Sequence, residues 1–186
     1  MEEINNIGII ELSSIAVGYQ VEDALLKTAP VQILIARSVC SGKFLIVISG
    51  SVSAVKASVE SGVKASGGSL IEYKIISNLH QSVFPALGLS VQLESTLPGA
   101  LGVIETFSAS SAIEAADAAV KNADIKLIRI NLAMAMGGKG LVLFSGGLGE
   151  TRAAMDSALV VLAECGMLAG TAVISAPSVD LLKEYI

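Results

Sequence analysis

The chain has 186 residues, 12 of them basic and 17 acidic, for a formal charge of −5. Apolar residues make up 53% and charged residues only 16%, which excludes disorder and leaves a surface that is weakly charged or covered by neighbours, so an oligomer is expected. An acidic balance with 4% aromatics and no Trp argues against a nucleic-acid partner, since neither a basic track nor stacking platforms are present.

Two cysteines, Cys40 and Cys165, and one histidine, His80, supply neither a within-chain metal-ligand cluster nor a disulfide framework, and a cytosolic protein is expected. Met1-Glu2-Glu3-Ile4-Asn5-Asn6 lacks the basic and apolar blocks of a signal peptide. The most apolar stretch, Ser157 to Pro177, is interrupted by Gly166 and Gly170, so it is read as a helix turning into a strand and no membrane span is expected.

Taken in chain order, Ile7 to Ser13 is a short β-rich run, and Ala16 to Thr28 places Val17, Val21, Ala24, Leu25 and Thr28 at helical spacing. Val31 to Val39 and Lys43 to Ser49 are β-branched runs separated by Cys40-Ser41-Gly42, the signature of a close antiparallel pair with a tight tip. Val52 to Ala65 returns to helical spacing, Gly67-Gly68 ends it, and Ser69 to Ser77 is strand-like. The order strand, helix, strand, strand, helix, strand is that of a ferredoxin-like α+β module.

The chain then repeats itself. Ile7-Gly8-Ile9-Ile10-Glu11 returns as Leu101-Gly102-Val103-Ile104-Glu105, and Asp23-Ala24-Leu25-Leu26-Lys27 returns as Asp117-Ala118-Ala119-Val120-Lys121, both 94 residues on. Gly42-Lys43 and Ser49-Gly50 return as Gly138-Lys139 and Ser145-Gly146 at offset 96, so two residues have entered the second repeat's turn. The expected organisation is a module over 1–88, a linker over 89–100 marked by Pro98-Gly99, and a second module over 101–186 ending in a short helical tail. Three chains of two modules each would fill six equivalent places in a ring.

The paired motifs Ile-Gly-x-x-Glu, Asp-Ala-x-x-Lys-x-Ala, Gly-Lys and Ser-Gly, in this order and twice, resemble the bacterial microcompartment shell domain. The likeness extends over nearly the whole chain and is greatest to the tandem-domain, trimer-forming class. Within it, Ser38-Val39-Cys40-Ser41-Gly42-Lys43 and Asn78-Leu79-His80-Gln81-Ser82-Val83 are similar to a propanediol-utilisation subgroup. The resemblance implies a flat homotrimeric pseudohexamer in the shell of a cytoplasmic microcompartment, not an enzyme, meeting other shell proteins. It also implies a central pore lined by Val39, Ser41 and Gly42 of the first repeat and Met134, Ala135, Met136 and Gly137 of the second. Lys27 and Lys121 match the lysine that the family uses at the tile edge. In the subgroup the cysteine of the turn ligates a 4Fe-4S cluster, so Cys40 is the implied metal ligand, one cluster being held by three chains, with an encapsulated redox enzyme as a possible partner.

The residues support that reading in one respect: a single thiolate cannot hold a cubane cluster, whereas three about a three-fold axis supply three of its iron ligands. Backbone N–H groups at Ser41 and Gly42 are expected to face cluster sulfides, and Lys43 to add positive field beside the thiol. Cys165 is expected in the core, His80 in a capping or interface role, and Glu11 and Glu105 as duplicated structure near the sheet. The glycine-rich runs at Gly137–Gly140 and Gly146–Gly149 lack phosphate-loop spacing. Where the family often carries an arginine-bearing Pro-Arg-Pro-His segment after its last strand, this chain has Asn78-Leu79-His80 and Ala176-Pro177-Ser178. Two alternatives stay open: a shell tile with a metal-free metabolite pore, and a soluble ferredoxin-like trimer that binds an effector.

Overall fold

Each strand run and each helical run of the repeats has a counterpart in the computed structural model, which describes residues 5–88, 90–91, 99–134, 136–178 and 180–181. The first repeat runs β1 (Ile7–Leu12), α1 (Ile15–Thr28), β2 (Gln32–Val39), β3 (Lys43–Ser49), α2 (Val52–Ser66) and β4 (Leu70–Ile76). A short helix α3 (Val83–Leu87) follows. The second repeat is β5 (Ala100–Thr106), α4 (Ala109–Asn122), β6 (Lys126–Leu132), β7 (Gly140–Gly146), α5 (Leu148–Cys165) and β8 (Leu168–Ser175). Both repeats fold as antiparallel four-stranded sheets in the order β2-β3-β1-β4 and β6-β7-β5-β8. This is the ferredoxin-like arrangement expected from the element order.

Local chemistry explains the boundaries. Ser14 and Ser108 occupy the same place in the two repeats, and each side chain accepts a backbone N–H of the first helical turn, from Val17 and Ser111. Ser51 does the same for α2 through Ala54. At the other end of α2, Gly67 takes φ 55°, a conformation costly for any residue with a Cβ.

The chain divides into two compact units. One contains the residues up to Leu79 together with Ala133–Gly138, and the other contains His80–Leu132 and the residues from Lys139 onward. In the first, Ile10 and Leu12 of β1 and Phe44, Ile46 and Ile48 of β3 pack beneath Val21 and Leu25 of α1 and Val55 and Val59 of α2. In the second, Leu101, Ile128 and Leu143 cluster with Val103 and Leu141.

One feature departs from expectation. Helix α3 was not anticipated, because a five-residue helix is too short to show periodicity and Pro85 within it reads as a breaker. The linker over 89–100 and the helical tail lie largely outside the described residues; Asp180 and Leu181 are described and helical.

The glycine of the repeated Ile-Gly-x-x-Glu motif is a packing requirement. A Cβ at Gly8 would lie 2.5 Å from a Val59 methyl carbon, 3.0 Å from Val55 and 3.1 Å from Ile48. Substituting Gly8→Ala is expected to destabilise the fold by about 1–3 kcal/mol through overpacking. The readout is a lower urea midpoint with unchanged slope.

Candidate functional site

The tip between β2 and β3 is built from three residues. Cys40, Ser41 and Gly42 form a single 3-10 turn in which Ser41 (φ 65°) and Gly42 (φ 70°) are both left-handed. Gly42 meets that requirement without cost, whereas Ser41 is held there against its preference. Cys40 is half-buried, and Ser41 and Gly42 are exposed.

Two contacts hold this tip. The backbone N–H of Cys40 donates to the carbonyl of Ala133 at 3.0 Å, which brings the segment Ala133–Gly138 alongside it within the first unit. Gly138, at φ 88°, lies so close that a Cβ there would stand 3.4 Å from Lys43 Nζ and 3.7 Å from Ser41 Oγ. Beneath the tip, Lys43 Nζ donates to Glu11 Oε1 at 2.8 Å, and the Glu11 side chain is fully buried.

Glu11 shares the strand face of Ile7 and Ile9, opposite the face that Gly8, Ile10 and Leu12 turn toward the helices. The Ile-Gly-x-x-Glu and Gly-Lys motifs, 32 residues apart in sequence, are thus two halves of one ion pair. The pair recurs as Lys139–Glu105 at 3.4 Å, looser and about 40% exposed. This changes the expected role of Lys43: its charge is matched by Glu11, so it does not stand as an uncompensated positive field beside the thiol.

The remaining singled-out residues fall as follows. Val39 is buried, Met134 is exposed, Met136 is half-buried, and Gly137 is exposed with φ 62°. Ala135 lies outside the described residues. Cys165 ends α5 with its thiol 3.6 Å from the carbonyl oxygens of Val161 and Leu162 and 3.8 Å from Ser111 Oγ, tucked against the helix. Lys27 pairs with Asp23, and Lys121 with Asp117, one helical turn away in each case.

His80 is exposed, and its Nδ1 lies 2.8 Å from Ser82 Oγ. Its backbone N–H, by contrast, donates to Asp117 Oδ1 at 2.8 Å. That main-chain contact was invisible in the sequence. Among the described residues no group of three or more His, Cys, Asp or Glu side chains is placed to hold a metal ion. No helix among them is long and apolar enough to cross a membrane.

A domain model, the BMC domain, matches residues 6–79 and again 100–177. The chain belongs to the BMC-domain family. Over 180 residues, 97% of this chain and 97% of the relative, it is 34% identical to the bacterial microcompartment shell protein PduT of Citrobacter freundii. The crystal structure of a microcompartment protein from Desulfitobacterium hafniense is 38% identical, with a TM-score of 0.86 over 97% of this chain and 99% of that one. The fused permuted hexameric shell protein MSM0275 of the RMM microcompartment is 30% identical, with a TM-score of 0.65 over 85% and 81% of the two chains. The protein is a structural shell protein of a bacterial microcompartment, with two BMC domains in tandem.

The two ion pairs of the BMC repeats differ in burial, and the difference is measurable. Lys43→Met removes the ammonium that pairs with the fully buried Glu11 carboxylate and is expected to cost about 3 kcal/mol. Lys139→Met removes a half-exposed partner and is expected to cost under about 1 kcal/mol. Urea denaturation of the two variants side by side gives the comparison.

Proposed function

We propose that this BMC shell protein assembles as a homotrimer, a pseudohexameric tile, that gathers three Cys40 thiolates at its centre to hold one 4Fe-4S cluster. The observation that carries the reading is the asymmetry of the two turns: the first repeat bears one thiol at its tip, and the equivalent turn of the second bears Met134. One soft ligand per chain is adequate only when several chains converge, and three supply all but one of the iron ligands of a cubane.

The donor set fits such a group. Cys40 sits on a short tip whose next two residues are exposed, and the Ala133 carbonyl and the Glu11–Lys43 pair anchor that tip from behind. The cluster, when bound, supplies one-electron transfer. The chain's own contribution is to fix the thiol's position and to leave Ser41 and Gly42, which carry no bulky side chain, beside it. Electron passage across the shell to an encapsulated redox enzyme, or delivery of a cluster, is the function of such a site. The tile itself carries out no catalysis and meets other shell proteins at its edges, with Lys27 and Lys121 on the rim.

Anaerobic purification followed by iron and sulfide analysis and electron spin resonance tests the reading. The protein and its Cys165→Ser variant are expected to hold about four irons per three chains, and Cys40→Ser to lose iron, sulfide and visible absorbance together. Equal iron in Cys40→Ser removes that cysteine from the role. A colourless, iron-free parent protein leaves a metabolite pore lined by Ser41 and Gly42 as the function of the tip.

A further inference from the structure

The duplication presents one helix face in two conditions. In the second repeat, Ala109 and Ile113 of α4 are fully buried, and α3, with Val83 and Ala86 fully buried, packs on α4 and β6. The Asp117 side chain, 9% exposed, accepts the His80 backbone N–H through Oδ1 and the Lys121 ammonium through Oδ2.

Ninety-four residues earlier the same positions are open. Ile15 and Tyr19 take the places of Ala109 and Ile113, and Tyr19 is 65% exposed. Leu34 on β2 is exposed where Ile128 on β6 is buried. Asp23 keeps its lysine partner, Lys27, but its side chain is 61% exposed. Among the described residues, Lys27 is the polar partner of its side chain.

The cover is duplicated as well. Ile76 and Ile174 hold equivalent register positions, opposite Ile7 and Leu101. Two residues on, Asn78 and Ala176 both turn left-handed, at φ 58° and 45°. The next places are Leu79 and Pro177, then His80 and Ser178. The two last-named side chains each accept a backbone N–H from two residues ahead, His80 Nδ1 from Ser82 and Ser178 Oγ from Asp180. Leu181 then stands where Val83 does, exposed where Val83 is buried. The chain therefore carries a helix face without its cover and a cover without its helix face.

We propose that a second copy of this chain seats its segment Ala176–Leu181 on α1 and β2, with the Ser178 backbone N–H donating to Asp23 Oδ1. The occupant is specified by the repeat itself: the His80–Asp117 contact shows which backbone donor an aspartate at this place receives. The seam joins unlike surfaces of two copies, a head-to-tail contact of the kind that generates a ring when its rotation closes. It rests on the oligomeric tile of the proposed function and names the contact that builds it.

Two differently tagged preparations, one carrying Lys27→Cys and the other Ser178→Cys, are mixed and treated with a short bismaleimide. The cross-linked peptides are identified by mass spectrometry, and sedimentation velocity is run in parallel. A 27–178 cross-link between the two tagged chains is expected. Single chains at every concentration overturn the tile reading itself, whereas an oligomer without that cross-link overturns only the seam. Asp23→Ala is expected to weaken association about tenfold or more, and Asp23→Asn, which keeps the acceptor oxygen, to restore most of it. Unaltered sedimentation of Asp23→Ala overturns the hydrogen bond.

Discussion

A strand buried on both faces has to resolve two demands at once, and β1 does so by alternation. Toward the helices it presents Gly8, Ile10 and Leu12, the glycine leaving room for Val55 and Val59. On the opposite face it presents Ile7, Ile9 and Glu11. A carboxylate in that position is costly without a cation, and Lys43, the first residue of β3, reaches it. Because Lys43 directly follows the Cys40–Gly42 turn, the ion pair that makes the strand viable also anchors the tip bearing the thiol. Core packing and the candidate site therefore share one constraint.

Duplication allows the same constraint to be met with different severity. Glu105 and Lys139 repeat the pair but lie closer to solvent, at a longer separation, next to a turn two residues longer. The second turn carries Met134 where the first carries Cys40, and residues Ala133–Gly138 belong to the first compact unit. A module that is copied within one chain can thus diverge at its tips while keeping its sheet, since strand order and register are set by residues remote from the turns.

Much of the fold was legible in the sequence because its signals are local and periodic. Helical spacing from Val17 to Thr28 and glycines at Gly42 and Gly67 report directly on backbone conformation, and the recurrence of the motifs reinforces the reading. Helix α3 escaped because one turn carries no period. The compensation of Lys43 by Glu11 escaped for another reason: 32 residues separate them, and whether a lysine faces a thiol or a carboxylate depends on which strands are neighbours. The His80 main-chain bond to Asp117 belongs to the same class, since a backbone donor has no letter in the sequence.

The sequence by itself determined the duplicated α+β module, its membership among shell proteins, and the one turn that bears a cysteine, because these follow from residue type, spacing and recurrence. Only the tertiary structure decided which charges cancel, which aspartate has its backbone donor, and which helix face stays open. Those properties depend on burial and on distances between residues far apart in the chain, and the chain's order carries no record of them.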